Sequence, residues 1–252
     1  MVGRDFEGFR VIAPSRFGYL GTPVPEDASV VAQAEAHAAL IDHLGIECCV
    51  VAGVSAGGPS AIEFALRHPE RTSALILLVP RTYDPSNSVH PSEHVESQMI
   101  LRLIETSADF MFWLAIKVWR RAVVRFLGVK PELEAQASAE DRARTDEIMR
   151  SILPLSRRVD GIAIDSRTEL APWPLERISV PTLVVSAEDD LFGTLPGARF
   201  TAEHIPNSEL VVLESGGHLM LGQTAAVQDR VRDFLGRAKA KAGARALEAV
   251  EA

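Results

Sequence analysis

The sequence predicts an α/β fold of the doubly wound kind, a mostly parallel sheet covered by helices on both faces, with a helical insertion. Two observations carry this reading. Apolar runs of strand length alternate with helix-period segments in the first and last thirds of the chain. That rhythm breaks between Tyr83 and Trp173, where strand signals vanish and charged helical segments dominate. The chain has 252 residues, 47% of them hydrophobic, enough to bury the core of one domain with an insertion. The expected organisation is a core of residues 1–82 and 174–252 and a helical cap of residues 83–173.

Taken in order, Phe9-Arg10-Val11-Ile12-Ala13-Pro14 is the first strand-like run. A helix is predicted over about 28–44, stopping at Gly45. Cys48–Val54 reads as the next strand, followed by a helix over 58–67 that Pro69 closes. Ser73–Val79 is a third strand. Runs this continuously apolar suit strands buried on both faces. Breaks within the insertion fall near Gly128, Pro131, Pro154 and Gly161. The strand rhythm resumes at Pro181–Ala187, then a helix over 196–204, a strand at Leu210–Leu213 and a last helix over 224–235. The Ala-rich tail from Gly236 is expected to be a frayed helix end. The sheet should therefore hold five strands, near 9–14, 48–54, 73–79, 182–187 and 210–214.

Composition narrows the function. A formal net charge of −8 argues against nucleic acid, which demands a basic face. The two cysteines, Cys48 and Cys49, are adjacent in an apolar run and are expected as small buried core residues without a disulfide framework. The first ten residues lack the apolar stretch of a secretory signal. The apolar segment from Met99 to Val129 is interrupted by Arg102, Glu105, Asp109, Lys117, Arg120, Arg121 and Arg125, so no membrane span is expected. A cytoplasmic protein follows as the expectation. No metal-ligand spacing and no G-x-G-x-x-G opening a helix occur, so no cofactor is expected. A homodimer is compatible with this reading.

The chemistry concentrates at the ends of predicted strands. Gly53-Val54-Ser55-Ala56-Gly57 matches G-x-S-x-G where a buried strand turns into a helix. Such a turn lifts the Ser55 hydroxyl out of the sheet edge and aims the Ala56 N–H at a developing oxyanion. Larger side chains at the flanking glycines would meet neighbouring backbone. A serine needs a base to become a nucleophile. His218, in Ser215-Gly216-Gly217-His218 after the last strand, lies at the same sheet edge. An acid must orient that base, and Glu188, Asp189 and Asp190 follow the strand ending at Ala187. The order Ser…Asp…His agrees with a nucleophile on such a turn.

With these residues in view, the sequence resembles the capped α/β-hydrolases, the group that includes meta-cleavage-product hydrolases and small esterases. The resemblance spans about Phe9 to Leu235. It rests on Arg10–Gly21 (RVIAPSRFGYLG), Gly53–Gly58 (GVSAGG), Arg67–Arg71 (RHPER), Pro181–Asp190 (PTLVVSAEDD) and Ser215–His218. It implies a sheet of the α/β-hydrolase type. It selects Asp190 over Asp189 as the acid, with Asp84 as an outside candidate. It also implies a serine hydrolase cleaving an ester or a carbon–carbon bond beside a carbonyl, in a small apolar or carbonyl-containing substrate. Related dehalogenases and epoxide hydrolases carry aspartate where Ser55 stands. The cap's aromatic stripe, Phe110 and Trp113 above all, is expected to face Ser55; its alternative reading is a membrane or partner surface. The resemblance further implies that N-terminal strands and the His-Gly loop that supplies a second oxyanion donor are missing, which leaves Ser15–Gly21 as the nearest substitute. A catalytically impaired remnant or binding module of the same fold is the alternative reading, and poor solubility with trace activity is the matching expectation.

Overall fold

A computed structural model describes residues 9–86 and 108–251, apart from the side chains of Ala108 and of 240–251. His90, His94 and the start of the apolar segment at Met99 lie outside the described residues. Four parallel strands form the sheet among the described residues: β1 (Cys49–Val54), β2 (Thr72–Leu78), β3 (Thr182–Ala187) and β4 (Ser208–Leu213), ordered β1-β2-β3-β4. Helix α1 (Val30–His43) precedes β1, and α2 (Gly58–Arg67) joins β1 to β2. The insertion carries α3 (Ala108–Val118), α4 (Arg120–Phe126), α5 (Pro131–Gln136), α6 (Ala139–Ser151) and α7 (Val159–Arg167). Helix α8 (Leu195–His204) joins β3 to β4, and α9 (Thr224–Glu251) ends the fold.

The two-residue period of a strand sorts the core into two layers. On β2, Leu75 and Leu77 join Val184 of β3 under α2 and α8, where Ile62, Ala65 and Ala198 meet them. On the opposite face Ala74, Ile76 and Leu78 join Leu183 and Val185 under Val227, Val231 and Phe234 of α9. Both faces of the central strands are thus covered, which is why their sequences are apolar except at Thr72, Ser73, Thr182 and Ser186. Helix α1 packs beside α2, with Ala34, Ala38 and Ile41 on Phe64 and on Cys49 and Val51 of β1. The N-cap Ser29 starts α1 by accepting from the Ala32 N–H.

Four expectations need correction. Phe9–Pro14 is not a strand: it neither pairs with β1 nor joins the ladder, and Phe9, Val11 and Ile12 are 51%, 38% and 36% exposed. The sheet therefore has four strands among the described residues, not five, and β1 lies at its edge. An apolar hexapeptide becomes a strand only where a neighbour offers hydrogen bonds, and that neighbour is a property of the whole fold. Cys48 is exposed rather than buried, because it precedes this edge strand. The last helix does not fray at Gly236 but runs on to Glu251. One glycine costs a helix only about 1 kcal/mol, which the surrounding Ala, Lys, Arg and Glu residues outweigh.

The sandwiched position of Leu77, fully buried between α2 and α8, makes it a test of this layering. Leu77→Ala should lower stability by about 2–5 kcal/mol. Denaturant unfolding would read this as a lower midpoint at unchanged slope.

Candidate active site

The site is built from three turns that follow the C-terminal ends of β1, β3 and β4. At the first, β1 ends at Val54 and a short turn over Ser55–Gly57 leads directly into α2. Ser55 adopts φ +50°, the left-handed region that non-glycine residues rarely occupy. The surroundings hold it there: the Arg81 N–H donates to the Ser55 carbonyl at 3.0 Å. Gly53 is sterically required, since a Cβ there would lie 2.8 Å from Ala61 Cβ and 2.9 Å from the Gly57 carbonyl oxygen. Gly57 is not: a Cβ at that position would meet open space, so the collision expected at both glycines applies to Gly53 alone.

The second turn follows β3. The Asp190 carboxylate is fully buried, a costly place for a charge unless donors surround it. Its Oδ1 accepts from the Phe192 N–H at 2.9 Å, and its Oδ2 accepts from the Thr194 hydroxyl at 2.6 Å and from His218 Nδ1 at 2.8 Å. Burial alone would raise this carboxyl. The hydrogen bond and charge of His218, with the Thr194 and Phe192 donors, outweigh burial and hold it below the ordinary 3.8. An ionised carboxylate only accepts, so His218 must carry its proton on Nδ1 and Thr194 must spend its own on Asp190. The Ser186 hydroxyl, 3.1 Å from that of Thr194, is then the donor in that contact.

The third turn follows β4 and carries His218. With Nδ1 protonated, Nε2 is free to accept, and the Ser55 hydroxyl donates to it at 2.8 Å. Ser55, His218 and Asp190 thus stand in one hydrogen-bonded line. Asp189, the neighbour in the acidic run, does another job: it accepts from the Gly217 N–H at 2.8 Å and steadies the histidine turn. Asp84 closes a local turn, accepting from the Ser86 N–H and hydroxyl.

The cap meets this line at two places. Gly128, just past α4, accepts from the N–H groups of both Leu191 and His218, each at 3.1 Å. Phe192 sets its ring edge-on to the His218 imidazole, centroids 4.6 Å apart. On the Ser55 side, the Arg81 guanidinium donates to the carbonyls of Asp165 and Thr168 at the end of α7, at 2.7 and 2.8 Å. Asp165 also takes a two-pronged bond from Arg16 and the Tyr19 hydroxyl at 2.5 Å. Ala56 lines a small cavity with Arg16, Ser60 and Arg81.

The Ser15–Gly21 loop, expected as a source of a second oxyanion donor, is tied to the cap and to α1. The N–H groups of Phe17, Gly18, Tyr19 and Leu20 donate to Gln33, Thr22, Arg16 and Arg157 respectively, so none of these four is open to a substrate. The cap's aromatic stripe also differs from expectation. Phe110 and Trp113 stack on each other at 5.9 Å but are 61% and 46% exposed, while Phe112, Ala115 and Ile116 pack inward on Val123, Val124 and Met149. The cause is that α3 carries apolar residues on every side beside Asp109 and Lys117, so its composition did not say which face turns inward. Among the described residues no cluster of His, Cys, Asp or Glu could hold a metal ion. No helix there is long and apolar enough to cross a membrane.

Comparison with known proteins agrees with this architecture. A family model described as "alpha/beta hydrolase fold" matches residues 2–223. A Bacillus subtilis (strain 168) protein named "Uncharacterized hydrolase YcgS" is 29% identical over 232 residues, covering 87% of this chain and 79% of its own. The 2-hydroxymuconate semialdehyde hydrolase of Pseudomonas putida is 30% identical over 224 residues, covering 85% and 72%. Among solved structures, a thermophilic esterase from Thermogutta terrifontis superposes with a TM-score of 0.62 at 24% identity, covering 88% of this chain and 77% of that one.

The depressed Asp190 carboxyl makes a prediction about pH. A group whose pKa falls on folding contributes stability above its unfolded value, about 3.9, and loses it as pH drops through the folded value. The stability advantage of the wild type over Asp190→Asn should therefore shrink as pH falls below about 4. Denaturant titrations of both proteins across that range would measure it.

Proposed function

Because the chain belongs to the α/β-hydrolase family, we propose that it is a serine hydrolase whose triad is Ser55, His218 and Asp190, acting on an ester or on a carbon–carbon bond next to a carbonyl. The observation that carries the reading is the continuous line from Ser55 Oγ through both ring nitrogens of His218 to the buried Asp190 carboxylate, two contacts of 2.8 Å each. A nucleophile, a base within reach and a group that fixes the base's tautomer are the three parts that such catalysis requires.

The chemistry follows from the proton positions. His218 Nε2 takes the Ser55 proton as Oγ attacks the substrate carbonyl, and Asp190 stabilises the imidazolium that results. The oxyanion forms beside the Ala56 N–H, a donor already fixed by the turn into α2. His218 then returns the proton to the leaving group, the alkoxide of an ester or the carbanion side of a carbon–carbon bond. Water, activated by the same ring, releases the acyl group from Ser55. The name of one relative, a 2-hydroxymuconate semialdehyde hydrolase, supports hydrolysis of a carbonyl-containing substrate.

Ser55→Ala should reduce hydrolysis of activated esters by at least about 10³-fold, with binding of an apolar product retained. A panel of short and long p-nitrophenyl esters and a ring-cleavage dienoate would measure this and tell the two bond types apart. Undiminished turnover in Ser55→Ala would move the chemistry elsewhere.

A further inference from the structure

We propose that Gly128, a cap residue, is the positioning element that sets His218 between Ser55 and Asp190, so that this part of the cap stays docked throughout turnover. The inference rests on the triad reading above. Three independent observations place the Gly128 backbone against the histidine turn. Its carbonyl accepts from the N–H groups of His218 and of Leu191, the residue next to Asp190, and thereby clamps the base turn and the acid turn to one atom. Gly128 sits at φ +79°, and a Cβ there would lie 2.5 Å from His218 Cβ and 2.8 Å from the Phe192 ring. The contact is reciprocal: at Gly217, with φ +58°, a Cβ would lie 2.8 Å from the Gly128 carbonyl oxygen and 3.0 Å from Val129 Cα. Two glycines thus allow two backbones to approach more closely than side chains permit.

The hydrophobic environment of the crossing supports its permanence. Val129 is fully buried, packed with Val123, Val124, Met149 and Leu221, so cap residues and the residues after His218 share one cluster. Moving Gly128 away would open this cluster and release two amides at once. The imidazole itself makes no hydrogen bond to Gly128. Its role is therefore to place the ring, and its loss should show in the chemical step rather than in substrate affinity.

The test compares Gly128→Ala with Gly45→Ala. Gly45, remote at the end of α1, has φ +66° and open space around a Cβ, so it reports backbone strain alone. Gly128→Ala should retain a cooperative thermal transition, lose about 100-fold in kcat with KM changed less than about threefold, and show a shifted apparent pKa in its kcat/KM profile as the ring loses its partners. Gly45→Ala should lower Tm and leave kcat and the pH profile unchanged. A folded Gly128→Ala with wild-type kcat and profile overturns the proposal. Where Gly128→Ala does not fold, amide exchange in the wild-type protein decides. The Leu191 and His218 amides should be protected equally before and after Ser55 is blocked by a phosphonylating agent, and fast exchange of both overturns the proposal. Loss of activity in Ser55→Ala alongside a normal Gly128→Ala would leave the triad reading standing and remove this one. Wild-type turnover in Ser55→Ala would remove the triad reading itself.

Discussion

A fully buried carboxylate governs the architecture around the site. Asp190 survives in the interior because three donors converge on it, the Phe192 N–H, the Thr194 hydroxyl and His218 Nδ1. Each donor constrains its own element. Phe192 N–H folds the turn after β3 back on itself, Thr194 fixes the start of α8, and His218 draws in the turn after β4. Removing any one of them would leave a buried charge short of partners, a far larger cost than the hydrogen bond's net worth. The electrostatics of a single group thus tie two strand ends and one helix start into a fixed arrangement.

Parallel pairing then does the remaining positioning. Because β1, β3 and β4 run in the same direction, their C-terminal ends lie along one edge, and the turns that follow carry Ser55, Asp190 and His218. Ser55 reaches His218 across 163 positions of sequence. The left-handed backbone at Ser55 is sustained from below by the close packing of Gly53 on α2 and from the side by the Arg81 N–H. Strain at Ser55 is held in place by the same packing that builds the core.

The legible parts of the sequence were those where local chemistry decides. The central strands could be read because burial on both faces demands a mostly apolar run, and α2 because Pro69 closes it. Ser55 and His218 could be read because glycines announce their turns. Asp190 was separated from Asp189 only by family resemblance; the structure gives the physical difference, one carboxylate on the imidazole and the other on the Gly217 N–H. Phe9–Pro14 misled because pairing is non-local, and α3 misled because a helix with apolar residues on every side hides its orientation. Thr194 and Ser186 were invisible: a hydroxyl that serves a carboxylate looks in sequence like any other threonine or serine.

Gly128 was noted in the sequence only as a break in the insertion, yet its position changes what the insertion is. An appended lid would touch the core at its ends and pass over the site. Here the chain enters the cap after β2, where Arg81 ties the serine turn to α7, and it crosses the histidine turn at Gly128 before returning to β3. The serine turn and the histidine turn are therefore each held by a different part of the cap, the first through Arg81 and the second directly. A rigid cap swinging away from the core would break both ties, the Arg81 bonds to α7 and the bonds of Leu191 and His218 to Gly128. On the proposed triad reading, substrate admission uses motion that leaves α7 and the Gly128 crossing in place. The outer face of α3 is exposed at Phe110, Met111, Trp113 and Val118, while its inner face packs in the same cluster as Val129.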